Sequence, residues 1–308
     1  MIKHSVFGSK AERELFTSLQ SRWSAKFDLW PSLPLAQIID VETARQYLGD
    51  KELDFLLKTN VDYTLCTKNG GPILSIEFGG LGKGHSRQGV YVQQEPTPDP
   101  HHKLKLDLKL KVAQKEKYPF FVVSFEESKP LHEEVGLTVV DEIIGQVLAK
   151  KDFQETLRTM FDKQKDYIES LHPSLKHEHL QDLVWDAEVQ AELMYDPIAK
   201  QAAIFEHEAF ERGIVKSYKT EYLNDPQLPN GDPFTDISIM EKRLAAMKNG
   251  VRVGCRIIAN TPKVGIVQTV WLRNFEDNAV SPLHMAVNIA ELLVFRRALD
   301  LVKNYEIR

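Results

Sequence analysis

Cysteine is nearly absent from this chain: Cys66 and Cys255 are the only two among 308 residues. Two cysteines so far apart exclude a disulfide framework and a zinc ribbon, and they fit a reducing compartment. Long apolar runs are missing as well. No stretch reaches the roughly 20 residues that cross a bilayer. The opening MIKHSVFGSK has no apolar core of the kind a signal peptide needs. These absences predict a cytoplasmic protein with no membrane partner. An excess of positive charge is also lacking. The net charge is −5 and the pI about 6.1, so any hold on nucleic acid has to come from a local patch. What remains, 43% hydrophobic and 27% charged residues, is the balance of a globular protein. The length suits one large domain or two ordinary ones.

One stretch stands out. Val61-Asp62-Tyr63-Thr64-Leu65-Cys66 and Ile73-Leu74-Ser75-Ile76-Glu77-Phe78 are alternating runs joined by Asn69-Gly70, a strong hairpin signal. A two-residue type I′ turn at Asn69-Gly70 pairs Lys68 with Gly71. Counting outward, Cys66 faces Ile73, Thr64 faces Ser75, and Asp62 faces Glu77. Side chains alternate along a strand, so Asp62, Thr64, Ser75 and Glu77 share one face. Val61, Tyr63, Leu65, Leu74, Ile76 and Phe78 share the other. Two opposed carboxylates repel unless a cation sits between them, and a divalent metal would serve. The bland reading is an ordinary solvated pair on the open face of a hairpin.

The rest of the chain sorts into elements. Ser9 and Glu12 form a capping-box pattern at the start of a helix to about Trp23. FDLWPSLPLAQIID, from Phe27 to Asp40, reads as a proline-interrupted edge strand, followed by a short helix over Val41–Phe55. Gly79 to Pro100 is a long loop, and YPFFVVSF, from Tyr118 to Phe125, is a buried strand. From Asp141 the pattern turns helical, with long helices over Asp152–Leu171 and His177–Arg212, and Pro173 and Pro197 as punctuation. A polar loop over Tyr222–Asp236 leads to a helix over Ile237–Lys248. Strands at Val251–Ala259 and Val264–Phe275 follow, then a helix from Ser281 to Asn304. The expectation is an α/β (α+β) protein with domains over 1–140 and 141–308. The second is an accessory domain of long helices ending in strand-strand-helix.

Within the first domain, several pieces fall in an ordered series. They are Glu12 on the first helix, the leader PSLPLAQIIDV, Val61-Asp62-Tyr63 followed by LC, PILSIE with a glycine after it, His85, and Asp107 with Lys111 before the closing strand. This series resembles the PD-(D/E)xK restriction-endonuclease-like nuclease superfamily, and most of all a poorly characterised bacterial branch of it. The resemblance covers about residues 5–130. It implies an αβββαβ core and metal-dependent cleavage of phosphodiester bonds, DNA before RNA, in a setting such as defence or repair.

The resemblance assigns roles. Asp62 and Glu77 would ligate Mg²⁺ or Mn²⁺, a hard cation that takes one or two carboxylates with water and phosphate. Glu12 would assist from the first helix. The family's lysine two residues after the strand glutamate is here Gly79, so the lysine has to come from elsewhere. Lys111 is the expected substitute, since Asp107 and Lys111 at i,i+4 share a helix face. Lys83 and His85 in the glycine-rich loop, and Lys103 and Lys105 beyond it, would contact substrate. The alternative is a catalytically degenerate nuclease fold that serves as a nucleic-acid or protein binding scaffold. A third reading is a hydrolase of a small phosphate ester that uses the glycine-rich loop.

Four other features carry weaker signals. GGLGKGHSRQG lacks the Gly-Lys-Ser/Thr ending of a P-loop. Lys103 to Val112 alternates like a strand, but Leu104, Leu108 and Val112 also form a helical stripe. A parallel return strand needs a crossover, so helix is the expectation. Its lysines, with Lys115 and Lys117, make a local basic surface that could track a phosphate backbone. His172, His177, His179 and His207 match no metal spacing. Glu188, Glu192, Glu206, Glu208 and Glu211 read as the wet side of long helices, so the second domain would meet a protein partner or a second copy of the chain.

Overall fold

The computed structural model describes residues 7–79, 85–86, 100–225, 238, 241–242, 252–262, 264–273 and 279–306. The protein is a mixed α/β chain with helices and two separate four-stranded sheets. It divides into two compact units, Met1–Gly84 with Val92–Lys129, and His85–Tyr91 with Pro130–Arg308. The division near Lys129 precedes the boundary at 140 that composition suggested.

The first unit opens with α1 (Lys10–Trp23), where the Ser9 side chain caps the Glu12 amide. β1 (Asp28–Pro34) then runs along the sheet edge, where its prolines cost no ladder bond. Three short helices follow: α2 (Leu35–Ile38), α3 (Val41–Ala44) and α4 (Asp50–Lys58). The single helix expected over Val41–Phe55 is therefore two, because Gly49 adopts an extended backbone and caps a fresh start. β2 (Asn60–Cys66) and β3 (Pro72–Gly79) form the hairpin. α5 (Pro100–Glu116) crosses over to β5 (Phe120–Ser124). The two-residue strand His85–Ser86 is β4. The sheet order is β1-β2-β3-β5, antiparallel except for the parallel β3–β5 pair.

The lysine-rich segment is a helix despite its alternating leucines. Its buried residues, Leu108, Lys109, Val112 and Ala113, recur at helical spacing. Leu108, Val112 and Ala113 join Leu35, Ile39, Leu56, Val61 and Phe120 in one apolar core. That core fixes α5 against the sheet.

The second unit begins with α6 (Val139–Ser170), opened by a Thr138–Asp141 capping box. α7 (Pro173–Tyr195) and α8 (Pro197–Glu211) each start on proline, capped by His172 and Asp196. α6 runs unbroken through Asp141–Asp152, longer than the sequence suggested. β6 (Ser217–Asn224), β7 (Arg252–Asn260) and β8 (Gly265–Arg273) form an antiparallel sheet in the order β4-β8-β7-β6. β6 takes in the start of the segment read as a polar loop. Its outward Lys219 and Glu221 hide an alternation that pairing with β7 satisfies. The final helix α9 (Pro282–Glu306) packs on β7, β8 and α8. The helix expected over 237–248 lies almost wholly outside the described residues.

Candidate active site

The hairpin that presents the two carboxylates is built differently from the simplest reading. Asn69 does not take the left-handed backbone a type I′ turn needs; Gly70 does, at φ +82°. The Gly70 amide donates to the Thr67 carbonyl at 2.9 Å and the Thr67 amide to the Gly71 carbonyl at 2.8 Å. This is the three-residue loop in which an ordinary turn is followed by a left-handed glycine. Cys66 consequently stands opposite Pro72, not Ile73. Ile73 is then an extra residue in β3, a bulge that slips the register back by one. From Leu65↔Leu74 through Thr64↔Ser75 to Tyr63↔Ile76 the pairs are those counted from the sequence. Continued one step further, that register sets Asp62 across from Glu77.

This face is covered rather than open to water. Thr64 and Ser75 are fully buried and share a hydrogen bond at 3.0 Å. Ser75 also meets the Tyr118 hydroxyl at 2.9 Å. Above them Glu77 Oε1 accepts from Lys109 Nζ at 2.6 Å, with side chains only 10% and 5% exposed. The other Glu77 oxygen, Oε2, is buried and has no hydrogen-bond partner among the described residues. The solvated-pair reading of Glu77 is therefore excluded.

Asp62 Oδ2 accepts from the Phe78 amide at 2.8 Å, which pins its carboxylate to the neighbouring strand. Burial, and then the Glu77 charge, push the Asp62 carboxyl up to about 7, against the pull of the Phe78 amide and Lys109. Glu12 adds to the upward push, so α1 brings a third negative charge toward the pair. Its Oε2 is already engaged, accepting from the Gly8 amide at 2.6 Å. The Tyr63 hydroxyl donates to the Glu12 carbonyl at 2.8 Å, and the Tyr63 ring stacks on Phe16. These contacts tie α1 to the face of the hairpin opposite Glu77.

The expected lysine is displaced by two positions. Lys111 Nζ pairs with Glu52 Oε1 at 2.6 Å, with both side chains more than 40% exposed. Asp107 is exposed as well. Residues two apart on a helix point in nearly opposite directions, so Lys111 and Lys109 cannot both reach β3. The signal that identifies Lys109 was present: it sits three residues before Val112 and four before Ala113, inside the apolar stripe. A lysine there has no reason to be buried except a partner.

The other assigned residues divide. Lys105 is exposed on α5, and Lys103 belongs to the same helix. Lys83 lies outside the described residues, as does most of the glycine-rich loop. His85 belongs to the second unit, where β4 pairs it with Leu272 on β8. It is not part of the unit that holds Asp62 and Glu77.

Asp62 and Glu77 offer hard oxygen donors, and the unpartnered Glu77 Oε2 is a free one. Such a donor set fits Mg²⁺ or Mn²⁺, which need few protein ligands when water and phosphate supply the rest. It does not suit a cation that needs an all-protein cage. No group of three or more His, Cys, Asp or Glu is placed to hold a metal among the described residues. No protein-family model, curated protein or solved structure matches the chain.

Proposed function

We propose that the first unit is a metal-dependent phosphodiesterase with a restriction-endonuclease-like core, acting on nucleic acid, DNA before RNA. The order of its elements supports this: a helix, three antiparallel strands with three short helices inserted after the first, a crossover helix and a parallel strand. One observation carries the reading: a buried carboxylate on β3, across the hairpin from a second carboxylate, meets a buried lysine. Burying an acid and a base together, with a second acid half-buried beside them, costs several kcal/mol per buried ion. A stability argument alone favours apolar residues in their place.

Asp62 and Glu77 would hold Mg²⁺ or Mn²⁺. Such an ion activates water and stabilises charge on phosphate oxygens. Lys109 takes the part expected of Lys111. Its ammonium, anchored through Glu77, lies where negative charge would grow on a phosphate bound at the two carboxylates. Asp62 must lose its proton to act as a ligand, so activity should rise with pH through about 7. Lys105 and the basic outer face of α5 would follow the phosphate backbone.

The test is cleavage of plasmid and oligonucleotide DNA and RNA with Mg²⁺ or Mn²⁺. Asp62→Asn, Glu77→Gln and Lys109→Met should each lower the rate on the order of 100-fold or more. No metal-dependent cleavage by the wild type, or cleavage unchanged by all three substitutions, would sink the reading.

A second reading, a binding scaffold that does not cleave, is favoured by the state of the site. Lys109 already occupies Glu77 Oε1, and Asp62 tends to hold its proton. Gly79 supplies no charge where the family pattern has one. Nucleic-acid binding that neither needs metal nor leads to cleavage would select this reading.

A further inference from the structure

The second unit buries two carboxyl groups with no cation between them. Glu142 on α6 is 0% exposed and Asp196, which caps α8, is 1% exposed. One oxygen of each is saturated by N–H donors. Glu142 Oε1 accepts from Asn288 Nδ2 at 2.9 Å and Gln146 Nε2 at 3.2 Å. Asp196 Oδ1 accepts from the Ile198 amide at 2.8 Å and the Ala199 amide at 3.2 Å. The remaining oxygens, Glu142 Oε2 and Asp196 Oδ2, are buried and find no N–H or hydroxyl. The two side chains are within hydrogen-bonding contact of each other. α6 comes this close because residue 145 is glycine: a Cβ there would lie 2.7 Å from Asp196 Cα and 3.1 Å from its Cγ.

We infer that Glu142 and Asp196 share one proton, and that this proton is a pH-sensitive clasp joining α6 to the start of α8. Two carboxylates facing each other in a dry site repel, whereas a carboxylic acid and a carboxylate form a short, strong hydrogen bond. The proton belongs to Glu142. Burial lifts Asp196 as well, to about 7, but the hydrogen bond from Glu142 and the Ala199 and Ile198 amides at the helix N-terminus pull it back, and the helix dipole favours its charged form. Glu142 Oε2 therefore donates to Asp196 Oδ2.

The surroundings keep the proton in place. Glu192 from α7 adds negative charge and accepts from Asn288 at 2.7 Å. From α9, His284 Nε2 lies 3.1 Å from Glu192 Oε1, and Glu291 interacts with Glu192 rather than with the pair. Burial raises the Glu142 carboxyl well above the ordinary carboxylate range, with Asp196 adding to the effect. Glu192 and His284, with Gln146 and Ser281, line a cavity of about 550 Å³ at the edge of the network.

The unfolded chain releases both protons near the ordinary carboxylate range, while the native unit keeps at least one. The native state thus binds more protons from about pH 4 upward, and the clasp weakens as pH rises. The test uses Glu142→Gln in the full chain. Glutamine is the shape of the protonated acid: its amide donates to Asp196 Oδ2 and its carbonyl accepts from Asn288. Hydrogen exchange at the Ile198 and Ala199 amides reports the clasp directly. In the wild type their exchange, corrected for its intrinsic pH dependence, should speed up at least tenfold as the pH is raised into the alkaline range. In Glu142→Gln it should stay flat. A carboxylic-acid carbonyl band in the infrared spectrum at neutral pH should disappear in the same variant. Asp196→Asn, which keeps the cap through Oδ1 and donates through Nδ2, should flatten the pH dependence likewise. Equal pH dependence in the wild type and both variants, or no carboxylic-acid band removed by Glu142→Gln, would overturn the clasp.

Discussion

Each unit withdraws a pair of carboxyl groups from water, Asp62 only in part, and the two pairs are neutralised in opposite ways. In the first unit a lysine from α5 reaches Glu77, leaving one glutamate oxygen unpartnered and Asp62 beside it. In the second unit, an acid on α6 donates to an acid at the head of α8, and the other oxygen of each accepts from two N–H groups. The first arrangement leaves an oxygen to offer and holds a charge that an arriving phosphate could use. The second is closed: a ligand would have to break the hydrogen bond to enter. The difference separates a site suited to chemistry from a structural fastening, although both look alike as acidic residues in the sequence.

The largest expected effect breaks the first pair. Lys109→Met leaves Glu77 as a buried carboxylate without its cation, which should cost about 3–5 kcal/mol in the first unit, measured by urea denaturation. Removing Glu77 as well, in Lys109→Met with Glu77→Leu, should recover most of that loss. The fully buried Thr64 and Ser75, with the half-buried Tyr118, keep their own hydrogen bonds beneath them. A single variant that loses less than about 1 kcal/mol, the worth of an exposed pair, would mean that the two units are not different in kind.

A smaller effect sharpens the comparison by adding a cation. On the proposed reading, Mg²⁺ bound at Asp62 and Glu77 would stabilise the native state by about 2.7 kcal/mol at a hundredfold excess over its dissociation constant. Asp62→Asn should abolish the rise in melting temperature. The metal-free protein should behave oppositely with pH. Native Asp62 keeps its proton up to about 7, whereas an unfolded aspartate loses it near 4. The native state then binds more protons in that window, and stability falls as pH rises from about 4 to 7. Metal competes with this proton, so the Mg²⁺-induced shift should grow as pH climbs through about 7. A shift independent of pH would place the ion elsewhere.

The sequence carried much of the first unit and little of the second pair. Alternation around Asn69-Gly70 was enough to set Thr64 against Ser75, although the turn itself has three residues. The bulge at Ile73 cancels the difference, and the inward-facing residues on both strands demand that it does, because a one-residue slip would turn each of them outward. Lys109 was harder to choose than Lys111, because the i,i+4 link to Asp107 scores a surface relation, whereas burial follows the Leu108–Val112 stripe. Glu142 and Asp196 gave no signal. They lie 54 positions apart in the numbering, and a carboxylate on a long helix reads as solvated unless its neighbours in space are known. Glu192, read as the wet side of a helix, is for the same reason found hydrogen-bonded to Asn288.

The smallest expected effect compares the two lysines of α5 directly. Lys111 meets Glu52 at the same 2.6 Å that separates Lys109 from Glu77. Distance therefore does not distinguish the pairs; burial does. An exposed pair is screened by water and salt and is worth about 0.2–1 kcal/mol. Its Glu52 partner sits lower than the ordinary carboxylate range, through the hydrogen bond from Lys111 and then the Gly49 amide, and that amide contact survives when the lysine is removed. Lys111→Met should thus change the urea midpoint slightly, in a salt-dependent way, and leave metal-dependent cleavage near the wild-type rate. Lys109→Met should lower cleavage even at temperatures where the variant stays folded. If Lys111→Met instead abolishes cleavage while Lys109→Met preserves it, the working lysine faces outward, and the buried Glu77–Lys109 pair becomes a structural fastening like that of the second unit.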